Sequence, residues 1–372
     1  MKQDHIIKED FFMKKTIVVL LIAAMTGTLI AGCGSGQQST AAEKTAGEAA
    51  EEVSEAVSEA AAEAEEEVSE AAEETAEEIT EAAEEAEEED EENYETGDAS
   101  RDDPRNQDEI GDREILVVSF GTSYNDSRRE TIGAIEQALA DAYPDWAVRR
   151  GFTSQIIIDH VKKRDNVTID NVEEALDRAE KNGVKELVIQ PTHLMDGYEY
   201  NDLMELVASY SDAFDKVSVG DPLLTSDDDF SAVADAVHEA TKSYDDGKTA
   251  IVFMGHGTEA DSNAVYAKMQ TVFEDKGLEN YYMGTVEATP SLDDVMKAIE
   301  GKGYERVVLR PLMVVAGDHA NNDMAGDDDD SWKSLLEKAG YEVVPVLEGL
   351  GQIEDVQKLY SAHTSKAIES IK

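Results

Sequence analysis

The sequence predicts an α/β protein of two similar lobes with parallel sheets, preceded by a signal peptide and an acidic Ala/Glu stalk. Three observations lead to this prediction. Short apolar runs typical of buried strands alternate with amphipathic helical segments. Two segments of the later half repeat segments of the earlier half. Before all of these lie an apolar leader and a tract rich in glutamate and alanine.

Residues 1–33 have the features of a lipoprotein signal peptide. Lys14 and Lys15 precede an apolar run over residues 16–30, which is short for a helix that must cross a bilayer core of about 30 Å. The run leads into Leu-Ile-Ala-Gly-Cys, which resembles the bacterial lipobox and implies lipidation of Cys33, the only cysteine. We therefore expect a cell-membrane protein, lipid-anchored on the extracytoplasmic side, with no thiolate left for disulfides or metal ligation.

Residues 34–112 are predicted to form an acidic stalk and linker. An eleven-residue repeat places Val57, Val68 and Ile79 almost on one line of a helix. About half of the formal net charge of -52 lies between residues 41 and 112. Such a run is typical of a solvated segment, with cation capture as the alternative, and it argues against a nucleic-acid partner. Residues 97–112 are predicted to be a flexible joint.

The remaining chain is predicted to form an N-terminal lobe, residues 113–240, and a C-terminal lobe, residues 241–372, joined near residues 222–240. Continuous apolar runs such as AIVFM are typical of strands covered on both faces by helices. Predicted strands span residues 114–120, 184–190, 249–254, 281–286 and 306–312, and predicted helices span residues 127–142, 199–211, 261–276, 291–301 and 331–339.

The internal repeat pairs unlike residues at equivalent positions. GVKELVIQPTHLMDGYEY aligns with GYERVVLRPLMVVAGDHA, which places Glu199 opposite His319. ILVVSFGTS aligns with AIVFMGHGT, which places Phe120 opposite His256. Because ligands collect at the carboxyl ends of parallel strands, we expect these positions to line a cleft between the lobes.

Three polar residues of the later half follow predicted strands: His256, Glu287 and His319. Two imidazoles and one carboxylate suit a divalent first-row ion with open coordination positions. Each residue also has a structural interpretation: a tight turn between glycines for His256, an exposed loop for Glu287, and a turn before a short helix for His319. Glu199 either faces this set as a base or ion guide, or stabilises the N-terminus of its helix. His193 either lines the cleft or packs.

Several common catalytic motifs are absent from the sequence. It contains no Walker loop, no GxGxxG after the first strand, no GxSxG and no HExxH. These absences argue against the enzyme classes that depend on those motifs.

Four separated motifs resemble those of the anaerobic sirohydrochlorin cobaltochelatases of the CbiK type, which are class II chelatases: SFGTSYNDSRRETI, MGHGTEADSNAVYAKM, GTVEATPSLDDV and RPLMVVAGDHANNDMAGDDDDSWK. The resemblance covers roughly residues 114–372. It implies two Rossmann-like lobes that insert Co²⁺ into a tetrapyrrole without ATP, in anaerobic cobalamin biosynthesis. It also implies that His256, Glu287 and His319 bind the metal and that Glu199 is the glutamate of the first lobe in the cleft.

The resemblance and the residue types together imply a mechanism. We expect His256 to accept a proton from the macrocycle and to bind the ion. The implied partners are a sirohydrochlorin-like tetrapyrrole and a divalent metal, with Ni²⁺, Fe²⁺ and Zn²⁺ left open beside Co²⁺, and homo-oligomerisation is also left open. Carboxylates on the substrate require basic or backbone N–H groups, for which Arg310 and the turn over residues 119–123 are candidates.

A binding protein is the alternative to an enzyme. An extracytoplasmic lipoprotein that captures a tetrapyrrole or a metal ion and passes it to an importer would use the same cleft. The lipobox and stalk depart from cytoplasmic members of the family. A third interpretation is a degenerate paralogue that only scavenges metal, and the presence of both histidines and both glutamates argues against it.

Overall fold

The computed structural model describes residues 96–372. The predicted signal peptide with Cys33, and the predicted stalk up to residue 95, lie outside the described residues. Within residues 96–372, no helix combines the length and the apolar character needed to cross a membrane.

Two four-stranded parallel sheets form the framework of the described chain. The first has the strand order β2-β1-β3-β4 and the second has the order β6-β5-β7-β8. The strands are β1 (Arg113–Ser119), β2 (Ala147–Phe152), β3 (Glu186–Pro191), β4 (Lys216–Val219), β5 (Thr249–Gly255), β6 (Tyr281–Thr285), β7 (Arg306–Pro311) and β8 (Glu342–Pro345). Val118 pairs with Pro191 in the first sheet as Met254 pairs with Pro311 in the second. This equivalent register confirms the prediction of two similar α/β lobes.

Ten α-helices connect and cover these strands within residues 96–372. They are α1 (Asn125–Glu130), α2 (Ile132–Ala142), α3 (Gln155–Asp165), α4 (Val172–Asn182), α5 (Tyr198–Ser209), α6 (Asp227–Thr241), α7 (Ala264–Asp275), α8 (Leu292–Ile299), α9 (Trp332–Lys338) and α10 (Glu354–Ser370). The predicted joint over residues 222–240 is therefore largely the helix α6.

The last helix of each lobe packs against the other lobe. From α6, Phe230 and Val233 join the core around Phe253 of β5. From α10, the Tyr360 hydroxyl donates to the carbonyl of Thr192, just beyond β3, at 2.8 Å. The two lobes therefore share one apolar core across their junction.

Strand β2 was not predicted because it contains Arg149 and Arg150. Both side chains are fully buried, which is uncommon for arginine unless it is paired. Arg150 pairs with Glu136 of α2 at 2.7 Å, and Arg149 pairs with Asp170 at 3.1 Å. These partners lie on other elements, so charged residues can occupy the interior of this sheet.

Residues 96–112, which we call the strap, are packed on the first lobe rather than flexible. The carboxylate of Asp102 lies 2.7 Å from guanidinium nitrogens of both Arg128 and Arg150. Burial raises the pKa of Asp102, but the two guanidinium groups outweigh it and hold that pKa below its ordinary value. The Arg105 carbonyl also accepts a hydrogen bond from the backbone N–H of Arg150 at 3.2 Å. The strap thus covers the free edge of β2.

Candidate metal-binding active site

The three predicted metal ligands lie together at the carboxyl-terminal edge of the second sheet. His256 directly follows β5, Glu287 follows β6, and His319 follows β7 at the start of a π-helical turn, Ala320–Met324. One ligand atom from each side chain lies within 4.8 Å of the other two. The predicted convergence of these side chains is confirmed, and their role in binding metal stays a prediction.

The main chain holds Glu287 beside His256. The carbonyl oxygen of His256 accepts hydrogen bonds from the N–H groups of Val286 at 3.0 Å and Glu287 at 2.9 Å. Gly257 permits this approach, because it adopts a φ of +99° and a Cβ there would lie 2.8 Å from the nitrogen of Ala288. As a result, Nδ1 of His256 lies 3.3 Å from a carboxylate oxygen of Glu287.

The two imidazoles approach each other edge to face. Their ring centroids are 4.6 Å apart and the ring planes make an angle of 89°. Nδ1 of His256 donates to the carbonyl of Gly257 at 2.9 Å, and Nδ1 of His319 donates to Oδ2 of Asp323 at 2.8 Å. A neutral imidazole has one N–H group, so both rings retain Nε2 as the nitrogen with a lone pair.

Carboxylates determine the electrostatics around His319. Burial lowers the pKa of His319, but the hydrogen bond to Asp323 and the negative charges of Asp323, Asp318 and Glu287 outweigh it and raise that pKa above its ordinary value. The same carboxylates favour an approaching cation.

The first lobe supports the loop that leads to His319. The hydroxyl oxygen of Ser127 in α1 accepts a hydrogen bond from the N–H of Ala316 at 3.0 Å. Thr122 lies so close to Gly317 that a Cβ there would meet its Oγ1 at 3.1 Å. On the other side, the N–H of Leu350 donates to the carbonyl of Met313 at 2.8 Å. The position of His319 therefore depends on both lobes.

Glu199 lies in the first turn of α5, at the corresponding edge of the first sheet. Its Oε2 is 3.3 Å from Nε2 of His193, which is buried beneath it. Glu199 also lines a cavity of about 430 Å³ together with Phe152 and Leu203. That cavity lies on the first lobe and does not include the three converging side chains. The role of Glu199 as a base or ion guide stays a prediction.

The two candidates for binding substrate carboxylates do not fit that role as proposed. Arg310 lies within β7, is 1% exposed and pairs with Glu348 at 3.3 Å, so its guanidinium is not available in the cleft. In the turn over residues 119–123, Ser119 and Ser123 are buried and the exposed side chain is the apolar Phe120. Both candidates lie near a strand end, and that position alone does not determine the direction of a side chain.

Asp323 is the residue of this site that the sequence analysis missed. It lies in the polar run Asn321-Asn322-Asp323, which by itself is typical of an exposed loop. The available signal was its spacing of four residues from His319, which places two side chains on one face of a helix.

Two similar parallel α/β lobes, with two imidazoles and a carboxylate converging at a strand-end edge, fit the class of metal chelatases. The family described as cobalt chelatase (CbiK) matches residues 113–369. The chain belongs to this CbiK family of cobalt chelatases, as the sequence motifs predicted.

Two curated relatives are similar over nearly their whole length. Sirohydrochlorin cobaltochelatase of Salmonella typhimurium is 36% identical over 254 residues, which are 68% of this chain and 96% of the relative. Sirohydrochlorin cobaltochelatase CbiKC of Nitratidesulfovibrio vulgaris is 30% identical over 259 residues, which are 69% of this chain and 91% of the relative. Among solved structures, SirB from Bacillus subtilis with Fe³⁺ matches with a TM-score of 0.49 and 13% identity, covering 70% of this chain and 97% of SirB.

Proposed function

We propose that this protein is a sirohydrochlorin cobaltochelatase, which inserts Co²⁺ into the tetrapyrrole without ATP, in cobalamin biosynthesis. The observation that carries the proposal is the convergence of His256, Glu287 and His319 within 4.8 Å, in a chain of the CbiK family. Both relatives described above are sirohydrochlorin cobaltochelatases, and the similarity extends over most of their length.

The geometry supports a metal insertion in which Co²⁺ enters the macrocycle and two pyrrole N–H protons leave it. His256, Glu287 and His319 hold the ion through three side chains, which leaves coordination positions open for pyrrole nitrogens. As those nitrogens bind the ion, the protein ligands are released. His256 is the more exposed imidazole, at 46% against 31% for His319, and accepts a pyrrole proton. The second pyrrole proton leaves by way of Glu199 on the opposite lobe, which accepts it and passes it to solvent.

Anaerobic incubation of the purified full-length protein with sirohydrochlorin and Co²⁺ tests the proposal. The absorbance change should show turnover above the spontaneous rate, and His256→Ala should abolish turnover while the circular dichroism spectrum stays unchanged. Stoichiometric binding of the tetrapyrrole without turnover would favour the carrier that delivers to an importer. Full activity of the His256→Ala protein would refute the assignment of the site.

We further propose that Cys33 is lipidated and anchors the protein on the extracytoplasmic side of the cell membrane. The lipobox-like residues 29–33 support this proposal. In cells, the wild-type protein should sediment with membranes and incorporate labelled palmitate, and Cys33→Ser should do neither. Palmitate incorporation by the Cys33→Ser protein would contradict it.

A further inference from the structure

We propose that Asp323 is the positioning residue of the metal site: it holds the imidazole of His319 in one orientation and in the tautomer that leaves the lone pair of Nε2 to bind the ion. This inference rests on the proposed function, because it assigns a role to a neighbour of a proposed ligand. Asp323 itself is not proposed to contact the ion or the macrocycle.

The hydrogen bond between the two side chains determines where the imidazole proton lies. Nδ1 of His319 is 2.8 Å from Oδ2 of Asp323. An ionised carboxylate only accepts hydrogen bonds, so Nδ1 carries the hydrogen and Nε2 keeps its lone pair. A histidine that binds a metal usually donates its other N–H group in this way, which fixes the ring and increases its basicity as a ligand.

The π-helical turn is the backbone feature that brings the pair together. Ala320 and Met324, at the two ends of the turn, are fully buried in the core of the second lobe. Between them, Nδ2 of Asn321 donates to the carbonyl of Gly317 at 2.7 Å, and Nδ2 of Asn322 donates to the carboxylate of Asp318 at 2.6 Å. Both bonds hold the turn against the residues that precede it. Single-turn π-helices of this kind are frequent at functional sites.

The tautomer of His256 is fixed by a backbone acceptor. Its Nδ1 donates to the backbone carbonyl of Gly257 at 2.9 Å, so no side chain is needed to fix its tautomer. His319 lies in a longer loop, eight residues beyond the end of β7, and relies on the carboxylate of Asp323. The nearest acceptor of Nδ1 is thus a backbone carbonyl for His256, with the Glu287 carboxylate farther away at 3.3 Å, and a carboxylate for His319.

The same residues suggest a competing interpretation. One ligand atom each from Asp318, His319 and Asp323 also lies within 4.8 Å of the other two, so this group could itself hold an ion. In that interpretation the metal ion displaces the proton from Nδ1 of His319. The distance of 2.8 Å between Nδ1 and Oδ2 of Asp323 is instead that of a hydrogen bond. The number of Co²⁺ ions bound distinguishes the two interpretations.

The test uses the full-length protein and Co²⁺ alone, in the absence of tetrapyrrole. The variants are Asp323→Ala, the isosteric Asp323→Asn, and the control Asp328→Asn, which removes one negative charge from an exposed position after the turn. Asp323→Ala should weaken Co²⁺ binding by about 10–100-fold, and Asp323→Asn should weaken it less, since its amide oxygen still accepts a hydrogen bond. Asp328→Asn should change the affinity by less than about threefold, because its charge is exposed to solvent and the Nδ1 bond stays intact.

Nitrogen-15 spectra of the histidine side chains provide a readout that a loss of packing would not change. In the metal-free wild type, at an alkaline pH where the imidazole is neutral, the resonances removed by His319→Ala should show the Nδ1–H tautomer, and in Asp323→Ala they should shift toward the Nε2–H tautomer. If Asp323→Ala does not fold, the Co²⁺ affinity of Asp323→Asn, compared with that of the control variant, carries the test.

Two results would overturn the inference. One is a Co²⁺ affinity and a tautomer that stay unchanged when Asp323 is replaced by alanine. The other is a wild-type protein that binds two Co²⁺ ions and Asp323 variants that bind only one. His319→Ala separates this inference from the proposed function. If His319→Ala leaves Co²⁺ binding intact, the proposed metal site itself is wrong. If His319→Ala abolishes binding and the Asp323 variants do not weaken it, only the role of Asp323 is wrong.

Discussion

The carbonyl oxygen of His256 accepts a hydrogen bond from the N–H group of Glu287 at 2.9 Å, so the backbone of one proposed ligand fixes the position of another. The distance between the two side chains is therefore determined mainly by the backbone at the ends of β5 and β6. A change that separates these loops should damage the site without removing any ligand.

Replacing Gly257 by alanine makes such a change. The new Cβ would lie 2.8 Å from the nitrogen of Ala288, and φ at this position is +99°, so the loop that carries Glu287 must move. We expect Co²⁺ binding to weaken by about 10–100-fold, as for the loss of a supporting contact. The control is Gly303→Ala, which has a φ of +86° but no atom near the new Cβ. Equal Co²⁺ affinity in the two variants would show that the close approach at Gly257 does not position Glu287.

Glu199→Gln should separate metal binding from turnover. Glu199 is not one of the three converging side chains, so the affinity for Co²⁺ should stay at the wild-type value. Turnover should fall on the order of 100-fold if the carboxylate takes part in proton transfer. Glu205→Gln, an exposed position on the same helix, should retain full turnover. A loss of Co²⁺ affinity in Glu199→Gln would instead make Glu199 a metal ligand.

Asp102→Asn should destabilise the first lobe. The substitution removes a carboxylate that lies 2.7 Å from both Arg128 and Arg150, whose side chains are fully buried. Breaking a buried pair from one side costs about 3–5 kcal/mol, and we expect the lower end because Glu136 still pairs with Arg150. Urea unfolding measures the change, with the exposed neighbour variant Asp103→Asn as control. A difference below about 1 kcal/mol between the two variants would mean that the strap contributes little to stability.

Glu114 should make the protein less stable as the pH rises from about 4.5 to 7. Burial raises the pKa of Glu114 to about 7, although the nearby guanidinium of Arg149 opposes this shift. Since the folded pKa exceeds the unfolded value, the stabilisation is present below the unfolded pKa and is lost as the pH rises through the folded pKa. At about 1.4 kcal/mol per pKa unit, the loss is on the order of 3 kcal/mol.

Glu114→Gln should remove most of this pH dependence and should be more stable than the wild type at pH 8. Arg149 keeps a partner in this variant, because Asp170 lies 3.1 Å away. Glu186→Gln is the control, since the hydrogen bond from Lys216 lowers the pKa of Glu186, opposite to the shift of Glu114. Stability curves between pH 4.5 and 8 that coincide for the wild type and Glu114→Gln would contradict the prediction.

The strands that carry the site were predictable, whereas the polar interior of the first lobe was not. Strands β5 and β7 are continuous apolar runs, and the structure places them within about two residues of the predicted bounds. In β2, by contrast, the neighbouring arginines Arg149 and Arg150 are typical of an exposed segment. They are buried because carboxylates distant in the sequence surround them, and no local pattern reveals such partners. The strap was misjudged for the same reason.

The convergence of His256, Glu287 and His319 followed from simple geometry, because each comes after a strand of one parallel sheet. The pairing of His319 with Asp323 depends on a π-helical turn, which the sequence does not specify in a recognisable way. The direction of the Arg310 side chain was equally hidden, since neighbouring residues of a strand point to opposite faces.

Helix α6 of the first lobe packs on the second lobe, and helix α10 of the second lobe packs on the first. In a protein that consisted of one lobe alone, one side of the sheet would be uncovered. The apolar face of the last helix would have no part of its own lobe to pack against. Two such proteins could complete each other by trading those helices about a twofold axis.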